Sequence, residues 1–65
     1  MKQPDMSFLV YPHFNVGDRV VDITAEKNNW EDVKGIVVEV DGSNIKIRYK
    51  SGNFRWKMPI NLRKE

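Results

Sequence analysis

Two stretches of the chain alternate apolar and cationic residues with a period of two: Ile45-Lys46-Ile47-Arg48-Tyr49-Lys50 and Phe54-Arg55-Trp56-Lys57-Met58. Successive side chains of a strand point to opposite faces, so each stretch predicts a strand with one face on a core. Ser51-Gly52 between them predicts a tight hairpin turn, with glycine supplying the positive φ. Upstream, Ile36-Val37-Val38-Glu39-Val40 is rich in β-branched residues and ends in the turn sequence Asp41-Gly42-Ser43-Asn44. The three segments form a meander of two hairpins.

The flanks are less regular. Asp18 to Thr24 predicts another strand, but adjacent Val20 and Val21 require either a bulge or burial on both faces. Ala25 to Lys34 has no strand pattern and predicts a long loop, in which Asn29 and Asp32 are spaced to cap one helical turn. Pro59 ends the last strand of the meander, and Ile60 and Leu62 return to the core. Ser7 to Tyr11 suggests a further strand limited by Pro12.

A two-residue Ser51-Gly52 loop sets Tyr49 opposite Phe54, Arg48 opposite Arg55, Ile47 opposite Trp56 and Lys46 opposite Lys57. A Gly42-Ser43 loop sets Val40 opposite Ile45, Glu39 opposite Lys46, Val38 opposite Ile47 and Ile36 opposite Tyr49. In these registers every large apolar residue except Val37 lies on one side, so Tyr49, Phe54 and Trp56 are expected in the core. Lys46, Arg48, Lys50, Arg55 and Lys57 share the other side, relieved only by Glu39. Opposed like charges cost roughly 0.2–1 kcal/mol per pair, a large fraction for a domain whose stability is ~0.05–0.15 kcal/mol per residue. An anion that meets the cationic face would explain the arrangement. A bland explanation is also open: cations as guards against edge aggregation, neutralised by acids folding back.

Composition narrows the chemistry. The 65 residues make one domain, read as an N-terminal segment over 1–13 and a folded unit over 14–65. There is no cysteine and the one histidine is His13, so the chain offers no disulfide, thiol nucleophile, zinc ribbon or histidine metal site, and no cofactor is expected. The apolar run Phe8 to Tyr11 is far short of the ~20 residues of a membrane span, so a soluble cytoplasmic protein with no membrane partner is expected. The net charge of +2 hides an asymmetry: residues 15–42 carry three cations and seven acids, and residues 43–65 carry seven cations and only Glu65. Such asymmetry is a cue to anionic partners. None of the seven acids sits beside a histidine and there is no glycine-rich phosphate loop, so no catalytic residue is assigned and an enzyme is not expected.

The frame Phe14-x-Val16-Gly17-Asp18-Arg19-Val20, a ten-residue loop, Gly35-Ile36-Val37-Val38-x-Val40, Asp41-Gly42, an alternating hairpin and Pro59-Ile60-x-Leu62-Arg63 resembles an SH3-like small β-barrel of the KOW/Tudor kind. The resemblance spans residues 14–63 and implies an all-β fold, a small barrel of about five antiparallel strands. Such barrels serve ribosomal, transcriptional, chromatin and photosynthetic assemblies alike, so the resemblance leaves the ligand open. Phe14 to Val20 also resembles the start of the plasmid-borne type II dihydrofolate reductases. Their catalytic strand reads Val-Gln-Ile-Tyr, whereas this chain has Phe54-Arg55-Trp56-Lys57.

The expected function is that of a binding module for nucleic acid with weak sequence preference, phosphates being met by Lys46, Arg48, Lys50, Arg55 and Lys57. Lys34, Arg63 or Lys64 would extend that track, and Trp30, in the polar loop, is a candidate for stacking on a base. The alternative is a protein-interaction module that docks on an acidic partner. A small homo-oligomer, covering Val37 or a strand edge with a second copy, is the third possibility beside a monomer.

Overall fold

The computed structural model describes residues 13–65; the expected strand at Ser7 to Tyr11 lies outside them. Five strands, β1 (Arg19–Asp22), β2 (Lys34–Asp41), β3 (Asn44–Tyr49), β4 (Phe54–Lys57) and β5 (Leu62–Lys64), form one antiparallel sheet of order β4-β3-β2-β1-β5. A five-residue helix, α1 (Ile23–Lys27), follows β1, and a 3-10 turn at Pro59–Asn61 precedes β5. The all-β expectation is met at that level. The sheet stays open, with β4 and β5 as its two edges, so the expected closure into a barrel is not seen. Among the described residues no helix is long and apolar enough to cross a membrane.

The β2–β3 hairpin begins as expected, with Asp41 opposite Asn44, Val40 opposite Ile45 and Glu39 opposite Lys46. A bulge between Val37 and Glu39 then shifts the register by one, setting Val37 opposite Ile47, Ile36 opposite Arg48 and Gly35 opposite Tyr49. Every residue upstream of the bulge changes face, because the side-chain period is two. Val37, expected outside, is therefore fully buried, and Ile36, expected inside, is exposed. The shift also brings Gly35 against β3: a Cβ there would stand 2.5 Å from Ile47 Cγ2 and 2.7 Å from the Arg48 carbonyl oxygen. Only glycine fits so close an approach.

The β3–β4 hairpin departs from expectation in a second way. The Tyr49 N–H donates to the Asn53 carbonyl at 2.8 Å and the Gly52 N–H to the Tyr49 carbonyl at 2.9 Å, closing a loop of Lys50, Ser51 and Gly52. Gly52, at φ +97°, takes the left-handed position that ends such a three-residue loop. With one residue more in the loop, Arg48 faces Phe54, Ile47 faces Arg55, Lys46 faces Trp56 and Ile45 faces Lys57. The expected like-charge pairs do not form.

The core consists of Phe14, Val20, Val37, Ile45, Ile47, Tyr49 and Leu62. Val20 and Val21 are both buried without a bulge in β1, so both faces of that strand are covered. Ile60 stays exposed, so of the apolar pair expected to return after Pro59 only Leu62 is buried. The strand expected to reach Thr24 stops at Asp22, whose carboxylate caps α1 by accepting from the Ala25 N–H at 3.1 Å. Asn29 ends the helix instead of starting one. At φ 58° it lets the Trp30 N–H reach the Ala25 carbonyl at 2.9 Å and its own N–H the Glu26 carbonyl at 3.3 Å, a Schellman closure.

Asp22 is 1% exposed and is the one charged residue buried among the described residues. Besides Ala25, its carboxylate accepts from the Tyr49 hydroxyl at 2.7 Å and pairs with Lys57 Nζ at 3.4 Å. An unpaired buried carboxylate would be costly, and donors from α1, β3 and β4 supply its partners. Burial, and then the bond to Asp22, push the Tyr49 hydroxyl well above its ordinary pKa.

Gly35→Ala should destabilise the fold by roughly 1–3 kcal/mol, read as a lower denaturant midpoint, because backbone or Ile47 must move; an unchanged midpoint would refute the close approach. Because Tyr49 holds its proton more tightly when folded, its contribution to stability is intact below the unfolded tyrosine value of ~10 and falls as pH rises above it. Denaturation followed from pH 8 to 11 should therefore show an alkaline loss of stability that is smaller in Tyr49→Phe. That variant should cost about 1.5–3 kcal/mol at neutral pH through the lost bond to a carboxylate.

Candidate functional site

Cross-strand neighbours share a face, so the corrected registers define the side of the sheet that faces away from the core. One row across it is Arg19, Ile36, Arg48 and Phe54; the next is Glu39, Lys46 and Trp56. Phe54 is 52% exposed and Trp56 49%, although the expected register places both in the core. The reason is the extra residue in the Lys50–Gly52 loop, which turns β4 over and sends Arg55 and Lys57 to the inner side. The expected cationic face is thus replaced by a mixed one, aromatic on β4 and cationic on β3.

Lys46 Nζ lies 5.0 Å from the centroid of the Phe54 ring and 5.8 Å from that of Trp56, within the range of cation–π attraction. Glu39 is opposite Lys46 in register but does not form an ion pair with it. Beyond the aromatic row, Arg19, Ile36, Arg48, Lys50 and Glu65 border a groove of about 480 Å³ that continues the face toward β1. Apolar and cationic groups therefore alternate along one uncovered surface.

Four of the eight acids among the described residues make ion pairs. Asp22 pairs with Lys57, Glu26 with Arg63 at 3.0 Å, Asp18 with Lys64 at 3.5 Å and Glu65 with Lys34 at 3.3 Å. The residues considered as extensions of a cationic track, Lys34, Arg63 and Lys64, are therefore partnered. Lys46, Arg48, Lys50 and Arg19 make no ion pair among the described residues.

Of the six residues singled out from the sequence, Lys46, Arg48 and Lys50 belong to this face or its rim. Lys57 is turned inward and held by Asp22. Arg55 opposes core residue Ile47 but stays exposed, and its guanidinium lies 5.7 Å from the Trp30 ring centroid. Trp30 is 45% exposed, and Arg55, which lies over it, alternates with Phe54 and Trp56 along β4 and so points to the other side of that strand. The loop carrying it is tied to the β3–β4 turn by Asn53 Nδ2, which donates to Asp32 at 2.9 Å. Hydrogen bonds from Asn53 and Ser51 hold the Asp32 carboxyl below its usual value. Phe54, Trp56 and Arg19 were missed as surface residues. The signal was present as the pair of like-charge oppositions that the assumed register required, a conflict that a three-residue loop removes. Among the described residues no group of three or more acidic, histidine or cysteine side chains is placed to hold a metal ion.

With Trp30 replaced by phenylalanine, the emission of Trp56 should be that of a solvated indole. Iodide should quench it more strongly than caesium, because Lys46 draws the anion to the ring. A blue-shifted, quencher-insensitive emission would mean that β4 is inverted and Trp56 is buried.

No protein family, no curated protein and no solved structure matches this chain.

Proposed function

We propose that the protein is a non-enzymatic binding module that holds nucleic acid on the outer face of its sheet, with little sequence preference. The observation that carries this reading is the segregation of charge. Four acids, Asp18, Asp22, Glu26 and Glu65, are taken up by Lys64, Lys57, Arg63 and Lys34, while Lys46, Arg48, Lys50 and Arg19 stand without an ion-pair partner among the described residues, on or beside one exposed face whose two rows carry Glu39 as their one acid. Phosphodiesters are the anions that such a spread of cations suits, and they position a ligand without reading its sequence. The SH3-like reading of the fold belongs to the same proposal; the return of β5 beside β1 and the 3-10 turn before β5 support it.

Docking of an acidic protein is the second reading, favoured by the half-exposed Trp30 with Arg55 packed over it, an aromatic and an arginine of the type that anchors protein interfaces. A pull-down with and without nuclease separates the two: partners that persist after nuclease support docking, and partners that vanish support nucleic acid.

With Arg19, Lys46, Arg48 and Lys50 on phosphates, log K for an oligonucleotide should fall against log salt with a slope of about −3 to −4. Arg48→Gln should weaken binding and reduce that slope by ~1 without loss of the fold, since Arg48 is exposed and has no ion-pair partner among the described residues. A slope near −1, or no binding at low salt, would overturn the proposal.

A further inference from the structure

We infer that the ligand of this face is single-stranded, with two of its bases stacked on Phe54 and Trp56 and its backbone running over Lys46 and Arg48. This rests on the nucleic-acid reading above and names the form of the ligand.

The face is built as two parallel rows. Phe54 and Trp56 are alternate residues of β4, and each has a cation directly opposite on β3, Arg48 for Phe54 and Lys46 for Trp56. The rows are one inter-strand spacing apart, ~4.8 Å at the backbone, so rings and cations stand side by side. A nucleotide chain lying along β4 can therefore set its bases on the aromatic row while its phosphates meet the cationic row.

Spacing along the strand selects the unpaired form. Alternate residues of a strand are separated by ~6.5 Å, whereas neighbouring nucleotides of a duplex strand rise by only ~3.4 Å. Two consecutive bases that each take one ring must part from one another. In a duplex that separation means unstacking and unpairing, and the ring faces of the bases are already covered by their neighbours. An unpaired strand offers its bases freely, and stacking on aromatic side chains is tolerant of sequence. Phosphate contacts alone would leave the half-exposed Phe54 and Trp56 without a role.

Lys46 connects the two functions. Its ammonium lies over both rings in the free protein, and an arriving phosphate draws it away and clears the ring faces for bases. An apolar peptide fits less well, because covering Phe54 and Trp56 would bury Lys46 and Arg48 without an anion.

The test compares binding of the full chain to oligothymidine, to oligouridine and to a mixed-sequence duplex, each of about 20 units, longer than the ~4–16 nucleotides that a single OB fold occupies. Single strands should bind at least ten-fold more tightly than the duplex, and the two single-stranded arms report whether the sugar matters. Phe54→Ala and Trp56→Ala should each weaken single-strand binding by roughly five- to a hundred-fold and leave duplex binding unchanged, while Trp56→Tyr should retain most of the affinity. Circular dichroism checks that the variants fold. Independently of them, oligothymidine should quench Trp56 emission in the Trp30→Phe protein. Duplex binding as tight as single-strand binding, equal losses on both ligands, or unquenched Trp56 in the bound state would overturn the single-strand inference and leave the nucleic-acid reading standing. Absence of binding to all three ligands at low salt would overturn both.

Discussion

One buried carboxylate ties together the parts of this domain that matter. Asp22 ends β1, caps α1, accepts the Tyr49 hydroxyl from β3 and pairs with Lys57 from β4. A carboxylate that is 1% exposed is costly without such donors, and removing one partner of a buried pair typically costs ~3–5 kcal/mol. For Lys57 to reach Asp22, β4 must turn its cationic side inward. The carboxylate that settles the interior therefore also settles what the surface shows.

That orientation has an opposing term of similar size. Phe and Trp side chains bury ~150–250 Å² each when enclosed, so leaving Phe54 and Trp56 half exposed forgoes about 5 kcal/mol of apolar burial at ~25 cal/mol per Å². Inverting β4 would recover some of it, at the cost of stranding Asp22 and of opposing Arg48 to Arg55 and Lys46 to Lys57. The Lys50–Gly52 loop adds its own preference, because Gly52 at positive φ suits a three-residue connection. Turn chemistry and the buried ion pair agree, and together they hold two aromatic rings on the outside. Those rings stand beside cations without ion-pair partners among the described residues, and it is on this juxtaposition that the proposed binding rests.

Legibility followed the strength of each local pattern. The Asp41-Gly42-Ser43-Asn44 turn and the pairs nearest it, Val40 with Ile45 and Glu39 with Lys46, were readable because a strong turn fixes the register beside it. Ile36-Val37-Val38 carries no alternation, so nothing in it marks the bulge that buries Val37 and exposes Ile36. Asp22 reads as one more residue of a β-branched strand; its role as a cap appears only when Ala25 and Tyr49 are folded against it. Asn29 was legible as a capping residue, but its spacing to Asp32 pointed to the start of a helical turn, whereas it closes the C-terminal end of α1.

The candidate site divides along the same line. The sequence by itself determined that Phe54 and Trp56 lie on one side of β4 and Arg55 and Lys57 on the other, because side chains of a strand alternate regardless of what surrounds it. It likewise determined that Lys46 and Arg48 share a face of β3. Which side of β4 joins them was decided only in the tertiary structure, since a strand with two regular faces carries no mark for inside and outside. One residue more in a loop, and one buried carboxylate in need of a cation, turned the aromatic side outward.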